Sequence, residues 1–425
     1  PRPAPPQQPA HQPVQRQQPH IQRPTSRPGD TVTDELRGWY EAVGLGFGQG
    51  RAQEETLQRW RNEVARDGWR LDGAYTDARG FGLGEHTPVG TFVTTTQTVN
   101  TGAGHMEPAC FITDVTVRTT HRRRGLLTNL MTNALRRARD EGLSLAALTV
   151  TEGGIYGRFG FGVATSHTSA ELDSGPRFRM TRDIEPRVEL VTPEASVEAR
   201  RTVFDAVHAT HRGSHQRLAF YDDYLAGLWD HDKNGPNHAV RSAVHLDADG
   251  RPDGAVSYLF EEERGQIRVR DLLAAKPEAE LGLWQFLGSI DLVEKVVIRR
   301  LSPTTALPWA LADPHRLKVT GTGDFTWLRV LDVAKALGVR GFESDGEVSF
   351  TVDDVLGLAS GSYRLVVRDG RAEVTPVSAA HLRLDVRALG SLYFGLVDAH
   401  VLAAAGQVSG PPAEVDALSQ LFRTA

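Results

Sequence analysis

Residues 111–142, FITDVTVRTTHRRRGLLTNLMTNALRRARDEG, constrain this chain more than any other stretch. An apolar strand pattern ends near Val117, and eight residues later Gly125 stands at the head of a helical one. Leu126, Leu127, Leu130, Met131, Leu135 and Ala138 recur at spacings of three and four, so one face of that helix is buried. Between strand and helix lie His121, Arg122, Arg123, Arg124 and Gly125. A helix N-terminus presents unpaired N–H groups and partial positive charge, which attract anions. Three arginines add bidentate donors suited to phosphate, and glycine permits close backbone approach. A solvated arginine cluster is the competing reading; the position at a strand–helix junction favours the anion.

The loop lacks the G-x-x-x-x-G-K-[ST] pattern of nucleoside triphosphate sites and the G-x-G-x-x-G of dinucleotide sites. A looser echo of the strand occurs at Arg268-Val269-Arg270-Asp271-Leu272-Leu273, which hints at a second, diverged copy of the unit. There the following loop carries Glu278 and Glu280, and these repel a pyrophosphate. The second copy is therefore read as scaffold and substrate wall.

A length of 425 residues suggests about three domains. Residues 1–28 hold nine prolines and seven glutamines with few large apolar side chains, so 1–29 reads as an extended, disordered tail. Segments 30–180, 181–320 and 321–425 then divide the rest. Helices are expected over 34–43 and 51–67, with Leu57, Trp60 and Val64 on one buried face, and strands over 88–99, 109–117 and 143–151. Asp369-Gly370 marks a hairpin in the last segment. Beyond residue 28 the chain carries 44 basic against 53 acidic residues, which argues against nucleic acid and suits a cationic substrate. One cysteine, Cys110, excludes an internal disulfide and a multi-cysteine metal site, and a reducing cytoplasm is the expected compartment. His208, His211 and His215 have helix-like spacing without a paired acid, so no metal is expected there. No window approaches 18 consecutive apolar residues, so no membrane-spanning helix is expected.

The stretch from Thr151 through Glu152, Gly153, Gly154, Ile155 and Tyr156 to Gly162, TEGGIYGRFGFG, sharpens the picture. With Val115-Thr116-Val117 and HRRRGLL it resembles the Eis (enhanced intracellular survival) family of aminoglycoside N-acetyltransferases, in the GNAT superfamily. PWALADPHRLKV (308–319), TWLRVLDVAKAL (326–337) and LRLDVRALGSLYFG (382–395) are similar to that family as well. The resemblance implies an α/β (α+β) chain of tandem GNAT domains, the second degenerate, and a carboxy-terminal sterol-carrier-protein-like domain. It also implies acetyl-CoA as co-substrate and a homo-hexamer.

Carried onto this sequence, the resemblance gives Val115 and Val117 to acetyl-CoA through strand backbone, and the pyrophosphate to Arg123, Arg124, Gly125, Leu126, Leu127 and Thr128. Thr151 and Glu152 lie beside the pantetheine arm. Tyr156 becomes the general acid, and the terminal carboxylate on Ala425 the general base. These roles suit direct attack of an amine on a thioester: a phenol can protonate the leaving thiolate, and a carboxylate can take the ammonium proton. This chain departs from the family at two places. It ends Phe422-Arg423-Thr424-Ala425 rather than near a terminal aromatic, and Asp114 stands where an aromatic substrate wall is expected. Asp114 is a candidate contact for a cationic substrate. Phe47 and Trp60 are candidates for the amine wall, with core packing the competing reading. The rival functions are acetylation of protein lysine or of another natural-product amine, and a lipid-binding or scaffold protein with a vestigial site.

Overall fold

The computed structural model describes residues 20–22, 31–76 and 83–424. Its first segment carries β1 (His20–Gln22), α1 (Asp34–Phe47), α2 (Glu54–Arg66), β2 (Arg70–Tyr75), β3 (Gly90–Gly102), β4 (His105–Val117), α3 (Leu126–Asp140), β5 (Leu145–Thr149), α4 (Gly153–Tyr156) and β6 (Gly162–Val163). The second carries β7 (Ser166–Asp173), β8 (Val188–Val191), α5 (Pro193–Thr210), α6 (Phe220–Ala226), β9 (Val240–Leu246), β10 (Pro252–Glu261), β11 (Gln266–Ala274), α7 (Pro277–Gly288), β12 (Lys295–Leu301), α8 (Leu307–Ala310), β13 (Leu317–Asp324) and β14 (Thr326–Val330). The last carries α9 (Val333–Gly338), β15 (Gly346–Asp353), β16 (Gly361–Arg368), β17 (Arg371–Pro376), β18 (Leu382–Asp385), α10 (Val386–Leu392), α11 (Ala399–Ala404), β19 (Val408–Ser409) and α12 (Pro412–Phe422).

Local chemistry accounts for many of these boundaries. Thr33 caps α1 by accepting the Leu36 N–H, and Thr192 does the same for α5 with Pro193 following at its first position. Asp332, Asp385 and Asp398 cap α9, α10 and α11. One part of the expected tail is ordered: β1 pairs antiparallel with β2, His20 opposite Tyr75. The rest of 1–29 lies outside the described residues.

The strands form three sheets, ordered β1-β2-β3-β4-β5-β14-β6, β13-β7-β12-β11-β10-β9-β8 and β17-β16-β15-β18-β19. The two seven-stranded sheets share one plan. In each, four strands run antiparallel, a parallel pair follows (β4–β5 or β11–β12), and two more antiparallel strands complete the edge. The echo between 115–117 and 268–273 thus falls on corresponding strands, β4 and β11. The penultimate strand is exchanged. β7, which falls within the expected 30–180 segment, sits in the second sheet, whereas β14 returns between β5 and β6 of the first. The sheets therefore cross the bounds expected at residues 180 and 320.

The third unit is not a separate ball. Phe111, Leu145, Ala147, Leu328 and Val330 of the first sheet share one apolar cluster with Phe350, Leu384, Leu389 and Phe422 of the last segment. Arg329, fully buried, joins the units at one point. Its guanidinium donates to the Phe159 carbonyl (2.9 Å), the Val330 carbonyl (2.6 Å) and the Asp354 carboxylate (2.5 Å).

Candidate active site

The site begins where one parallel pair stops pairing. β4 and β5 are in register from Cys110↔Ala146 to Ile112↔Leu148 and then separate. On its other edge β4 pairs with β3 as Val93↔Thr113 and then Thr91↔Thr116, so Asp114 and Val115 together oppose Phe92. This is a bulge, and Asp114 carries it with φ +49. Across the bulge, residues 113–117 keep β3 on one side, and among the described residues they have no strand partner towards β5. A strand edge opened inside a sheet offers backbone donors and acceptors to an extended ligand.

The basic loop closes one end of this gap. Arg123 (φ +61) and Gly125 (φ +76) both take the left-handed conformation, and Gly125 caps α3 with no side chain over its N-terminus. Alternation of this kind turns successive N–H groups to one side, as an anion cradle requires. Arg122, Arg123, Arg124, Gly125 and Thr128 are exposed, Leu127 is half-buried, and Leu126 is buried under the helix. Arg124 donates to the Thr120 carbonyl at 3.1 Å, which ties the loop back on itself. The geometry fits a polyphosphate anion.

Tyr156 ends α4, directly after β5. It is buried in one apolar cluster with Ile112, Leu126, Leu130 and Leu148, on whose margin Val115, Val117, Leu127 and Trp327 pack. Its ring meets Phe161 edge-on at 6.4 Å. Burial, then the Glu152 charge, pushes the phenol above its ordinary value. No hydrogen-bond partner for its hydroxyl is found among the described residues. Thr151 and Glu152 are exposed at the start of α4. The Trp327 indole, on the exchanged strand β14, lies against Gly153 and donates to Asp324.

The opposite side of the gap is acidic. The end of α1 packs directly on β4 through Gly46 against Thr116, leaving Phe47 exposed beside it. Tyr40 of α1 is pushed up to about 12 by burial, then by Asp114, Glu63 and Asp232. Glu63 lies on α2 and is bonded to His231 at 3.0 Å, so the second unit contributes to this wall. Burial raises Asp114 to about 6, against a weak hydrogen bond from Thr113. Trp60 is not in the wall. It is buried, stacked on Trp39 at 5.7 Å and meeting Tyr40 edge-on at 4.9 Å, so it is core that backs Tyr40. Tyr40, Glu63, Asp232 and Trp327 carry no local motif; only the topology brings them here.

The three histidines separate. His208 is held by Thr98 and Ser214, His211 is exposed, and His215 is half-buried against Phe111 at 4.8 Å. Among the described residues no three His, Cys, Asp or Glu side chains converge on one point. Cys110 is buried, and burial pushes its thiol up to about 12. Among the described residues no helix is long and apolar enough to cross a membrane. Ala425 lies outside the described residues. Phe422, three positions earlier, is buried against Phe342 and the Arg340 guanidinium, which donates to its carbonyl at 2.9 Å. Thr424 packs directly on Gly395.

Two family models described as acetyltransferase (GNAT) domains match residues 30–164 and 223–330, and a sterol carrier protein domain matches 333–425. Fold and site thus define an N-acetyltransferase of the GNAT class with two such domains and an added sterol carrier domain. An uncharacterised N-acetyltransferase of Streptomyces avermitilis is 36% identical over 333 residues, covering 75% of this chain and 79% of that protein. The N-acetyltransferase Eis of Mycobacterium tuberculosis is 34% identical over 316 residues, 71% of this chain and 74% of its own. Eis1 from Mycobacterium abscessus superposes with a TM-score of 0.77 at 26% identity, covering 96% of this chain and 97% of that one. The chain belongs to the Eis-like family of GNAT N-acetyltransferases.

Proposed function

We propose that this chain transfers acetyl groups from acetyl-CoA to amines of polycationic small molecules, aminoglycosides being the leading class. The observation that carries this reading is the gap itself: among the described residues, 113–117 have no partner towards β5, beside an α3 N-terminus with no side-chain cap, headed by Arg123, Arg124 and Gly125. Acetyl-CoA supplies an activated acetyl thioester. The backbone of Val115 and Val117 holds its pantetheine arm, with Thr151 and Glu152 alongside. Arg123, Arg124 and the N–H groups of Gly125, Leu126, Leu127 and Thr128 hold the pyrophosphate. Tyr156, kept neutral by its raised pKa, gives its proton to the leaving sulfur. The resemblance places the proton acceptor on the Ala425 carboxylate.

Glu63, Asp114 and Asp232 lend the amine side negative charge around the neutral Tyr40 phenol, which suits a substrate with several ammonium groups. Phe47 forms its apolar rim. Trp309, 87% exposed, is a ready contact for the hexamer that the resemblance implies. The test is coenzyme A release over a panel of aminoglycosides, polyamines and lysine peptides, with product masses counting acetyl groups. Several acetyls on an aminoglycoside support the reading; turnover confined to lysine peptides replaces the substrate.

A further inference from the structure

The two corresponding strands carry an internal comparison. In the first sheet the parallel pair ends at Ile112↔Leu148, and two residues further on stands Asp114. In the second it ends at Val269↔Ile298, and two residues further on stands Asp271. Both carboxylates sit at a shift of the antiparallel register, beside the same opening of the sheet. Asp114 lies in the bulge at φ +49, whereas Asp271 is paired with Ser257, and their charge partners differ as well. Asp271 is held by Arg217 through two bonds of 2.8 and 2.9 Å and by Arg200 at 3.0 Å. Among the described residues no arginine, lysine or histidine pairs with Asp114. Its backbone carbonyl accepts from Thr91 at 2.8 Å, and among the described residues its carboxylate accepts only from Thr113, at 3.5 Å.

A partly buried carboxylate without a counter-charge is costly, and one copy of the fold avoids that cost with two arginines. The copy that keeps the open phosphate loop does not. Tyr40 feels the Asp114 charge and, from its other neighbours, those of Glu63 and Asp232; none of these brings a positive charge, and His231 is engaged by Glu63. On the reading proposed above, the missing cation is the substrate.

Resting on that reading, we infer that Asp114 receives the reacting ammonium of the substrate and takes its proton, as general base in place of the terminal carboxylate. One N–H bond of the ammonium breaks towards the Asp114 carboxylate, leaving the electron pair on nitrogen. That pair forms the C–N bond to the thioester carbon as the C–S bond breaks, and the sulfur leaves with the Tyr156 proton. The Tyr156 phenolate recovers a proton from the new amide nitrogen, and Asp114 returns its own to water. A carboxyl raised to about 6 is a stronger base than an ordinary aspartate and is ionised at neutral pH.

The test is Asp114→Asn, a substitution chosen because asparagine tolerates the left-handed backbone that this position requires. Kanamycin binding is measured calorimetrically at pH 5.5 without acetyl-CoA, in two buffers of different ionisation heat. The wild-type chain releases roughly half a proton or more from Asp114 as the ammonium enters, and the variant loses that release. With acetyl-CoA present, the variant's kcat falls about 10²- to 10³-fold and its acidic limb near pH 6 disappears. Its acetyl-CoA affinity is unchanged. Unaltered proton release and kcat in the variant overturn the assignment. So does a carboxy-terminal extension that abolishes turnover while Asp114→Asn leaves it whole, since the base is then Ala425. A wild-type chain that binds acetyl-CoA and acetylates no amine overturns the function proposed above, and the assignment with it.

Discussion

At the residue scale, Asp114 and Asp271 show one side chain in two electrostatic states. Burial raises both, but at Asp271 the two arginines more than reverse it and hold the carboxyl below its usual value. At Asp114 nothing does. The folded protein therefore binds a proton at Asp114 more tightly than the unfolded chain, whose aspartates titrate near 3.9. Ionising it weakens the fold, so the penalty is absent below pH 4, grows between 4 and 6, and is complete above. We expect Asp114→Asn to stabilise the chain above pH 6 by up to about 3 kcal/mol and to change little at pH 4. Asp271→Asn strands Arg200 and Arg217 and costs about 3–5 kcal/mol. Denaturant midpoints at the two pH values check both. Equal, pH-independent effects at the two positions would remove the contrast. Tyr156→Phe keeps the ring packed on Phe161 and deletes only the hydroxyl. Turnover should fall about 10²-fold or more while acetyl-CoA affinity survives; unchanged turnover removes the donor role. The arginine loop was legible in sequence because charge, glycine and helix period coincide within a few residues. Trp60 was legible as part of a buried face, but an amphipathic helix spaces a core tryptophan and a wall tryptophan alike, so sequence kept the wall open as a second reading.

At the scale of elements, α3 and its loop form the unit that binds charge. Gly125 has φ +76, and a Cβ there would meet nothing within 4 Å. Alanine at this position is therefore resisted by backbone conformation alone, by about 1–2 kcal/mol. The chain can relieve this by rotating out of the left-handed region, which breaks the N–H cradle. We expect Gly125→Ala to weaken acetyl-CoA binding about tenfold in a calorimetric titration, with the thermal transition little altered. Arg124→Gln should weaken it as well and flatten its dependence on salt; an unchanged salt response would place the pyrophosphate elsewhere. Helix α3 announces itself through a long 3.6-residue period, whereas β2 and β14 are short runs that fit any sheet. Periodicity tells strand from helix, but it does not say which strand lies next to which.

The strand exchange belongs to the whole molecule and follows from no local pattern. β14 fills the space between β5 and β6, supplies Trp327 beside Gly153, and buries Arg329 against Asp354 of the last segment. β7 fills the corresponding space beside β12. Removing either segment thus leaves the other with a missing inner strand, and unpaired backbone inside a sheet is costly. Residues 31–180 produced alone lack β14 and expose the face that Phe111, Leu145 and Ala147 turn to the last segment. A fragment 31–332 restores both exchanges, but it keeps that face bare and leaves Arg329 buried without its carboxylate partner. We expect neither fragment to show a cooperative thermal transition or to bind acetyl-CoA. In the whole chain, loss of tryptophan fluorescence and loss of acetyl-CoA binding should coincide in one step. A fragment 31–180 that folds as a monomer and binds acetyl-CoA would show that the first sheet closes without β14. If only 31–332 does so, the exchange is sufficient and the last segment serves another purpose. Failure of both assigns the third unit a structural part in the catalytic domain, through Arg329 and the shared apolar face.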